Sequence, residues 1–490
     1  MTAQRCGLMI DSLESKVQYI NSAFDGSKRP IIKNIVIPQN IKAAIIFIDE
    51  LTDSNAINRD LLKSLMQADL KANDDVITHI EEEVVPFSEA EKFDDINKAT
   101  GFILDGAAVL IVENCEEMIA FSAKKWSQRG IEEPPTSSVI RGPREGFNED
   151  IKTNISLLRR KLKTPDLTLD MINVGKYSAT KVAVVYINSI ADKNMVKTIK
   201  EKISGINIDG ILDSAYIESF LQDNRRTIFS QVGITEKPDI AAGKLLEGRV
   251  CVVVDGCPSV LTLPFLFIEN FQDSGDYYGN TTRRNFLRAL RLLSFLFSVL
   301  LPGLYVSMLL FHYEMLPTDL LLTIVNSRDG IPMNPMLELL VTMLLFEMLQ
   351  EASVRMPRHI GAAMSIVGAL ILGETAVNAG AISSPAVMVS AVSSIMIYNI
   401  PEESDVINLL RFVFTILAGF IGFFGLLVGV IAVCLRLVSL TSVGIPYMAP
   451  YAPLYDNDKQ DALFMKPITQ RFLRPESIPT KNRVRMRHSK

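Results

Sequence analysis

Two hydrophobic rhythms divide the chain. Up to Arg291, short β-branched apolar runs alternate with amphipathic stretches, whereas from Leu292 to Leu435 long apolar runs are broken only by short polar loops. The first region contains an internal repeat. AAIIFIDELTDSNAI (43–57) aligns without a gap on VAVVYINSIADKNMV (182–196), pairing Ala44 with Ala183, Asp53 with Asp192 and Asn55 with Asn194. Further on, LDGAAVLIVENC (104–115) aligns on LEGRVCVVVDGC (246–257), pairing Gly106 with Gly248 and Cys115 with Cys257. Continuous apolar strands of this length imply strands covered on both faces, with helix-like stretches such as Asp60–Asp69 and Ala191–Ile203 between them. The expected fold is therefore an α/β region of two related, duplicated subdomains, 35–135 and 168–285, after an N-terminal extension (1–34).

The linker 136–167 carries a helical pattern. Ile151, Ile155, Leu158 and Leu162 recur on one stripe, with Lys152, Arg159, Arg160 and Lys163 on the other flanks. Glu149 and Asp150 suit the N-terminal end of such a helix and the basic run its C-terminal end. Its apolar stripe fits either docking between subunits or packing on its own subdomain.

The second region, 286–440, reads as an all-α polytopic membrane domain. At about 1.5 Å per residue, some 20 apolar residues cross a hydrocarbon core of about 30 Å. Leu292–Phe311, 360–380, Ile382–Ile400 and Phe412–Leu435 meet that requirement, while 336–350 is shorter and carries Glu338 and Glu347. Arg283, Arg284, Arg288 and Arg291 precede the first span and place the α/β region in the cytoplasm. The tail 441–490 is basic, with eight Lys or Arg and one acid from Lys466 onward, so it belongs on the same side and an even number of spans is required. Four spans plus a partial segment at 336–350 satisfy this, with the acidic loop 401–405 outside. That arrangement leaves Arg355 and Arg358 outside as well, against the charge rule.

Composition sharpens the picture. Over 490 residues, 50 Lys+Arg against 55 Asp+Glu leave a charge of −5, which argues against a nucleic-acid partner, and a mean hydropathy of +0.23 argues against a purely cytosolic enzyme. The first 17 residues hold Arg5, Asp11, Glu14 and Lys16 and no apolar core, so no cleavable signal peptide is expected. Five scattered cysteines form no disulfide framework, and Cys251 and Cys257 lack nearby His partners, so no metal is expected. No phosphate loop, HExxH or GxSxG occurs. Asp49 and Asp53 sit at a strand end and in the following turn, where Asp is common, so neither a catalytic residue nor a cofactor is implied. Glu351 and Arg355 have the spacing of an intrahelical pair before Pro357.

Segment 360–380 carries the most chemistry. Ala362, Ser365, Ala369, Gly373, Ala376 and Gly380 make a small-residue face that lets helices approach closely. The other side presents Val367, Ile371, Glu374 and Asn378, which read as pore-lining: an apolar constriction followed by a carboxylate ring and an amide. A structural pair between Glu374 and Arg358 of another chain, or a place at the membrane interface, fits the same pattern.

Several blocks together resemble the A subunit of GerA-family spore germinant receptors: TSSVIRGPREGFNEDIKTNISLLRRKL (136–162), KVAVVYINSIADKNMVKTI (181–199), INIDGILDSAYIESFL (206–221), QEASVRMPRHIGAAMSIVGALILGETAVNAG (350–380) and LTSVGIPYMAPYAPL (440–454). The resemblance implies a multi-pass protein of the spore inner membrane with both termini cytoplasmic. It implies a ring of identical subunits that conducts monovalent cations when a nutrient binds, acting with a transporter-like B subunit and a lipoprotein C subunit among membrane lipids. An accessory spore membrane channel linked to dipicolinate release, or a non-conducting scaffold, are the alternatives.

Overall fold

The computed structural model describes residues 12–24, 30–49, 51–68, 76–80, 84–85, 90–123, 141–356, 368 and 370–486. Ala362, Ser365, Val367 and Ala369 lie outside them. The chain forms two units: Met1–Arg225, Val232–Phe265 and Phe472–Lys490 make the first, Arg226–Gln231 and Leu266–Arg471 the second.

The first unit holds two five-stranded antiparallel sheets. β1 (Ile31–Ile37), β2 (Ile41–Phe47), β3 (Ala90–Phe93), β4 (Ala107–Val112) and β5 (Met118–Ser122) lie in the order β1-β2-β4-β5-β3. β6 (Leu167–Val174), β7 (Thr180–Ile187), β8 (Gly233–Thr235), β9 (Val250–Val254) and β10 (Val260–Leu263) repeat it as β6-β7-β9-β10-β8. The register repeats too. Ala43 faces Val112 and Ile46 faces Val109 in one sheet, and their aligned counterparts Val182 faces Val254 and Val185 faces Cys251 in the other. Gly106 and Gly248, which the repeat aligns, both have left-handed φ (84° and 97°), a turn that favours glycine before β4 and β9.

Alternation within β2 and β4 splits the first sheet's core in two. Ile45, Phe47, Leu110 and Val112 pack with Ile57, Leu61 and Leu65 on one face. Ile46, Val109 and Ile111 pack on the other with α1 (Leu13–Ala23) and α2 (Ile96–Leu104) through Ile20, Ala99 and Ile103. The runs read as continuously apolar because both faces are covered, although every strand pair is antiparallel.

The linker helix is α3 (Ile151–Lys161), capped by Asp150, whose carboxylate accepts from Thr153 N at 2.9 Å. Ile151, Ile155, Leu158 and Leu162 are buried in the core of the second sheet beside Leu169, Val185 and Val253. Of the two roles weighed for this stripe, the single chain shows packing on its own subdomain. The polar flank reaches across within the chain, with Lys152 Nζ on Asp49 (2.7 Å) and Lys163 Nζ on Asp105 (2.5 Å). The unit is completed by α4 (Lys193–Ser204), α5 (Ser214–Leu221) and α6 (Pro238–Leu246). The C-terminal residues do not trail as a tail: Lys481 N donates to Ile190 O (2.9 Å) and Arg474 Nε to Leu246 O (2.7 Å).

The second unit is helical: α7 (Thr281–Leu310), α8 (Thr318–Ser327), α9 (Pro335–Arg355), α10 (Ser384–Ile397), α11 (Ser404–Ile421) and α12 (Phe423–Ser439). Among the described residues α7 and α11 are long and apolar enough to cross a membrane, and α10 and α12 are shorter apolar helices. Contacts fix their directions. Asn399 Nδ2, just after α10, meets Ser294 Oγ (2.9 Å) near the middle of α7, Gly303 lies under the Phe414 backbone, and Phe311 packs on Gly422 at the far end. So α11 runs parallel to α7, and α10 runs against both.

Three sequence expectations change here. Phe412–Leu435 is not one span: Gly422, at φ 67° and ψ −145°, turns the chain, and Gly425 and Gly429 bring α12 back along Leu417 and Phe414. The 336–350 run lies inside a longer helix: Asn334 caps a helix of 21 residues with Pro335 in its first turn. That helix runs opposite to α11, since Met336 meets Gly419 while Glu347 meets Asn408. The acidic loop 401–405 also moves. Glu403 accepts from Asn270 Nδ2 at 2.6 Å, which puts it at the end of the bundle where α7 begins, not the opposite one.

Candidate ion-conducting site

In the described part of the pore-lining stripe, Ile371, Glu374 and Asn378 are exposed on the single chain. Residues Ile371–Thr375 form a π-helical turn leading into a short α-helical turn, Ala376–Asn378. A turn closed by i→i+5 bonds is wider than an α-turn, so Ile371 and Glu374 do not stack in one line as an ideal helix would place them. Such wide turns in helices occur frequently at functional sites. On the small-residue face, a Cβ added to Gly373 or Gly380 would meet no described atom within 4 Å, so that face is open in the isolated chain. Gly380 ends the turn with φ 65°. Gly368 packs against Leu349 of α9.

Glu374 differs from the other acids on 335–380. Glu338 is fully buried; one oxygen accepts from Arg328 Nε (3.1 Å), the other from the Ser383 backbone N–H (2.6 Å) at the start of α10, where a helix end favours an anion. Glu347 accepts from Asn408 Nδ2 (2.7 Å) and Arg411 Nη2 (2.8 Å), and Arg411 also donates to Ser394 Oγ (2.9 Å). Glu351 pairs with Arg355 along its helix, Arg355 Nε donating at 2.6 Å. Glu374 has no hydrogen bond or ion pair with any described residue.

Around these pairs the bundle is lined with buried hydroxyls: Ser294, Ser298 and Ser307 on α7, Thr342 on α9, Ser390, Ser393 and Ser394 on α10, and Thr415 on α11. Ser393 Oγ donates to Ser298 O at 2.8 Å, joining α10 to α7 where small side chains allow close approach. Sequence reading missed the Glu347–Arg411 pair. The signal was present, since an arginine at the head of a long apolar run demands a carboxylate, and Glu347 sits on the segment judged too short.

The residues set aside as commonplace have structural employment. Asp53 accepts from Asn55 N (2.9 Å) as a helix cap, and Asp49 binds Lys152 and Ser54. Cys251 and Cys257 are buried, with the Cys257 thiol donating to Asp213 at 3.0 Å. Asp213 titrates below the usual carboxylate range because the Ala215 backbone N–H and this thiol both favour its charged form.

Comparison with known proteins places these features in context. Residues 18–477 match the family model described as Bacillus/Clostridium GerA spore germination protein. The chain is 37% identical to spore germination protein KA of Bacillus subtilis (strain 168), covering 98% of this chain and 89% of that protein. It is 34% identical to spore germination protein GerLA of Bacillus cereus over 90% of each chain. It is 32% identical to YfkQ, an uncharacterized membrane protein of Bacillus subtilis (strain 168), over 93% of this chain and 89% of the other. The solved N-terminal domain of the A subunit of the Bacillus megaterium spore germinant receptor GerK3 shares 32% identity, with a TM-score of 0.41 over 52% of this chain and 96% of that one.

Proposed function

Because the chain belongs to the GerA family of Bacillus/Clostridium spore germination proteins, germinant-receptor A subunits rather than enzymes, we propose that it is the oligomeric, cation-conducting membrane subunit of a nutrient receptor of bacterial spores. In this reading it acts in the spore inner membrane beside a transporter-like B subunit that receives the nutrient and a lipoprotein C subunit. The helical unit is the polytopic membrane domain. Taken as crossings, α7, α9, the 360–380 span expected from the sequence, α10, α11 and α12 make six, an even number that leaves both ends of the unit on one side. Arg355, at the end of α9, then returns to the side of Arg288 and Arg291, in keeping with the positive-inside rule that four spans had broken.

The observation that carries the proposal is Glu374, the acid on 335–380 with no partner among the described residues. A carboxylate at membrane depth requires water, a cation or a neighbouring chain, and a ring of copies supplies a wet axis lined with such carboxylates. Val367 and Ile371 form the apolar constriction below it, and the small residues Gly373, Ala376 and Gly380 pack subunit against subunit.

The test is cation flux through liposomes containing the full chain and its B-type partner. Wild type conducts cations on addition of nutrient, and Glu374→Gln assembles to the same size but loses cation-over-anion preference. Full selectivity in Glu374→Gln places the path elsewhere, and absence of any flux supports a scaffold.

A further inference from the structure

One buried carboxyl in the helical unit has no counter-charge among the described residues. Glu403 closes the short turn Pro401–Glu403 that connects α10 to α11, outside the helical segments themselves, and is 2% exposed. One oxygen accepts from Asn270 Nδ2 at 2.6 Å, and the other has no hydrogen-bond partner among the described residues. The neighbouring Tyr447 is fully buried, and its hydroxyl is likewise without a partner there. The groups facing Glu403 are acidic or neutral: Glu402 on its own turn, Asn270 on the turn Phe267–Phe271, and Tyr447 after α12, which Glu269 faces in turn. Two arginines of α7 are engaged with other groups, Arg288 with Asp276 and Asp461, and Arg291 with Asp276 and the Phe271 carbonyl.

A buried carboxylate without a cation is costly, and the group avoids that cost by keeping its proton. We propose that Glu403 is a proton-binding site at the base of the helical unit, protonated while the Glu403–Asn270–Tyr447 joint is closed and releasing its proton to water when the joint opens. The joint unites three segments: the approach to α7, the start of α11, and the strand of chain after α12. The last of these meets the first through Phe267 N on Tyr447 O (2.9 Å) and the Phe267–Tyr447 ring contact. Burial, with Glu402 adding to it and the Asn270 hydrogen bond opposing, pushes the carboxyl up to about 8. An open joint exposes an ordinary glutamate, near pH 4.5. The closed form therefore binds more protons between these values, so closure weakens as pH rises through that window and is weakest above it. This inference is independent of the conduction reading, because its readout is local opening.

The experiment is hydrogen exchange on the full chain in lipid nanodiscs from pH 6 to pH 9, corrected for the intrinsic pH dependence of exchange. The amides of 266–271 and 445–449 should open at least ~tenfold more at pH 9 than at pH 6 in the wild type. In Glu403→Gln, which is neutral at every pH, they should stay equally protected throughout. A flat wild-type profile, or a Glu403→Gln profile that follows the wild type, overturns the site. Should Glu403→Gln fail to fold, infrared titration of the wild type decides. A protonated carboxyl band persisting at pH 7 and lost by pH 9 supports the site, and its absence at pH 7 overturns it.

Discussion

At the residue scale, the helical unit is governed by how its charges are matched. Arg411 is fully buried and Glu347 about a third exposed (34%), so removing one partner strands the other in a poorly solvated place. Arg411→Leu should destabilise the full chain in detergent by roughly 3 kcal/mol, the low end for a broken buried pair because Glu347 retains some water. Glu347→Leu combined with Arg411→Leu should recover most of that loss. Thermal unfolding of the two variants beside the wild type checks it, and equal losses in the single and double variants would remove the pairing from the account. Asp276 gives the opposite pH behaviour to Glu403. Burial raises its pKa, but hydrogen bonds and charges from Arg291 and Arg288 outweigh it and hold the group below its ordinary 3.8. Its stabilisation is thus complete above the ordinary value and lost as pH falls through the lowered one. Asp276→Asn should be less stable at neutral pH, with a shallower loss in acid, as followed by unfolding between pH 7 and pH 2.

At the scale of elements, what was legible depended on whether a pattern had one interpretation. The repeats of 43–57 on 182–196 and of 104–115 on 246–257 specified the paired strands, because the apolar runs and the aligned Gly106 and Gly248 agreed, while the shared register came only with the structure. The helix at 151–161 was equally clear, yet its stripe did not reveal whether it faced its own sheet or another chain, since burial reads the same in both. Helix bounds were misjudged where local charge was read without its partner. Glu338 and Glu347 made α9 look unfit, and Arg411 pushed the start of the next span to Phe412. The spaced glycines 419, 422, 425 and 429, which let two helices fold together, were taken for one helix. Six crossings predict that a cysteine at 355 reacts with a membrane-impermeant thiol reagent from the same side as one at 285, while a cysteine at 314 reacts from the opposite side. Labelling of 355 together with 314 would restore the four-span arrangement.

At the scale of the molecule, the α/β unit takes in residues from 472 onward, far along the chain from its sheets. Lys481 and Arg474 bond to Ile190 and Leu246, and the Thr480 side chain fills the space above Gly248 that a Cβ would occupy. Removal of residues 472–490 should lower the melting temperature of the full chain's α/β transition by several degrees, corresponding to a loss of about 2 kcal/mol. Calorimetry in detergent distinguishes this from a dispensable tail, which would leave the transition in place. No sequence pattern announced this role, because short extended segments that add only bridges and backbone bonds carry no periodicity.

The turn at Gly422 also bears on how the protein is made. The ribosome delivers the chain from its N-terminus, and Glu347 emerges 64 residues before Arg411. The waiting acid is in place when the arginine arrives, so the charge need not enter the lipid alone. In the proposed six-crossing reading, with only Gly422 between them, α11 and α12 leave the translocon as one hairpin, and no hydrophilic loop has to be carried across between them. A long insertion at this point should therefore impair membrane integration during synthesis before it affects any property of the finished receptor.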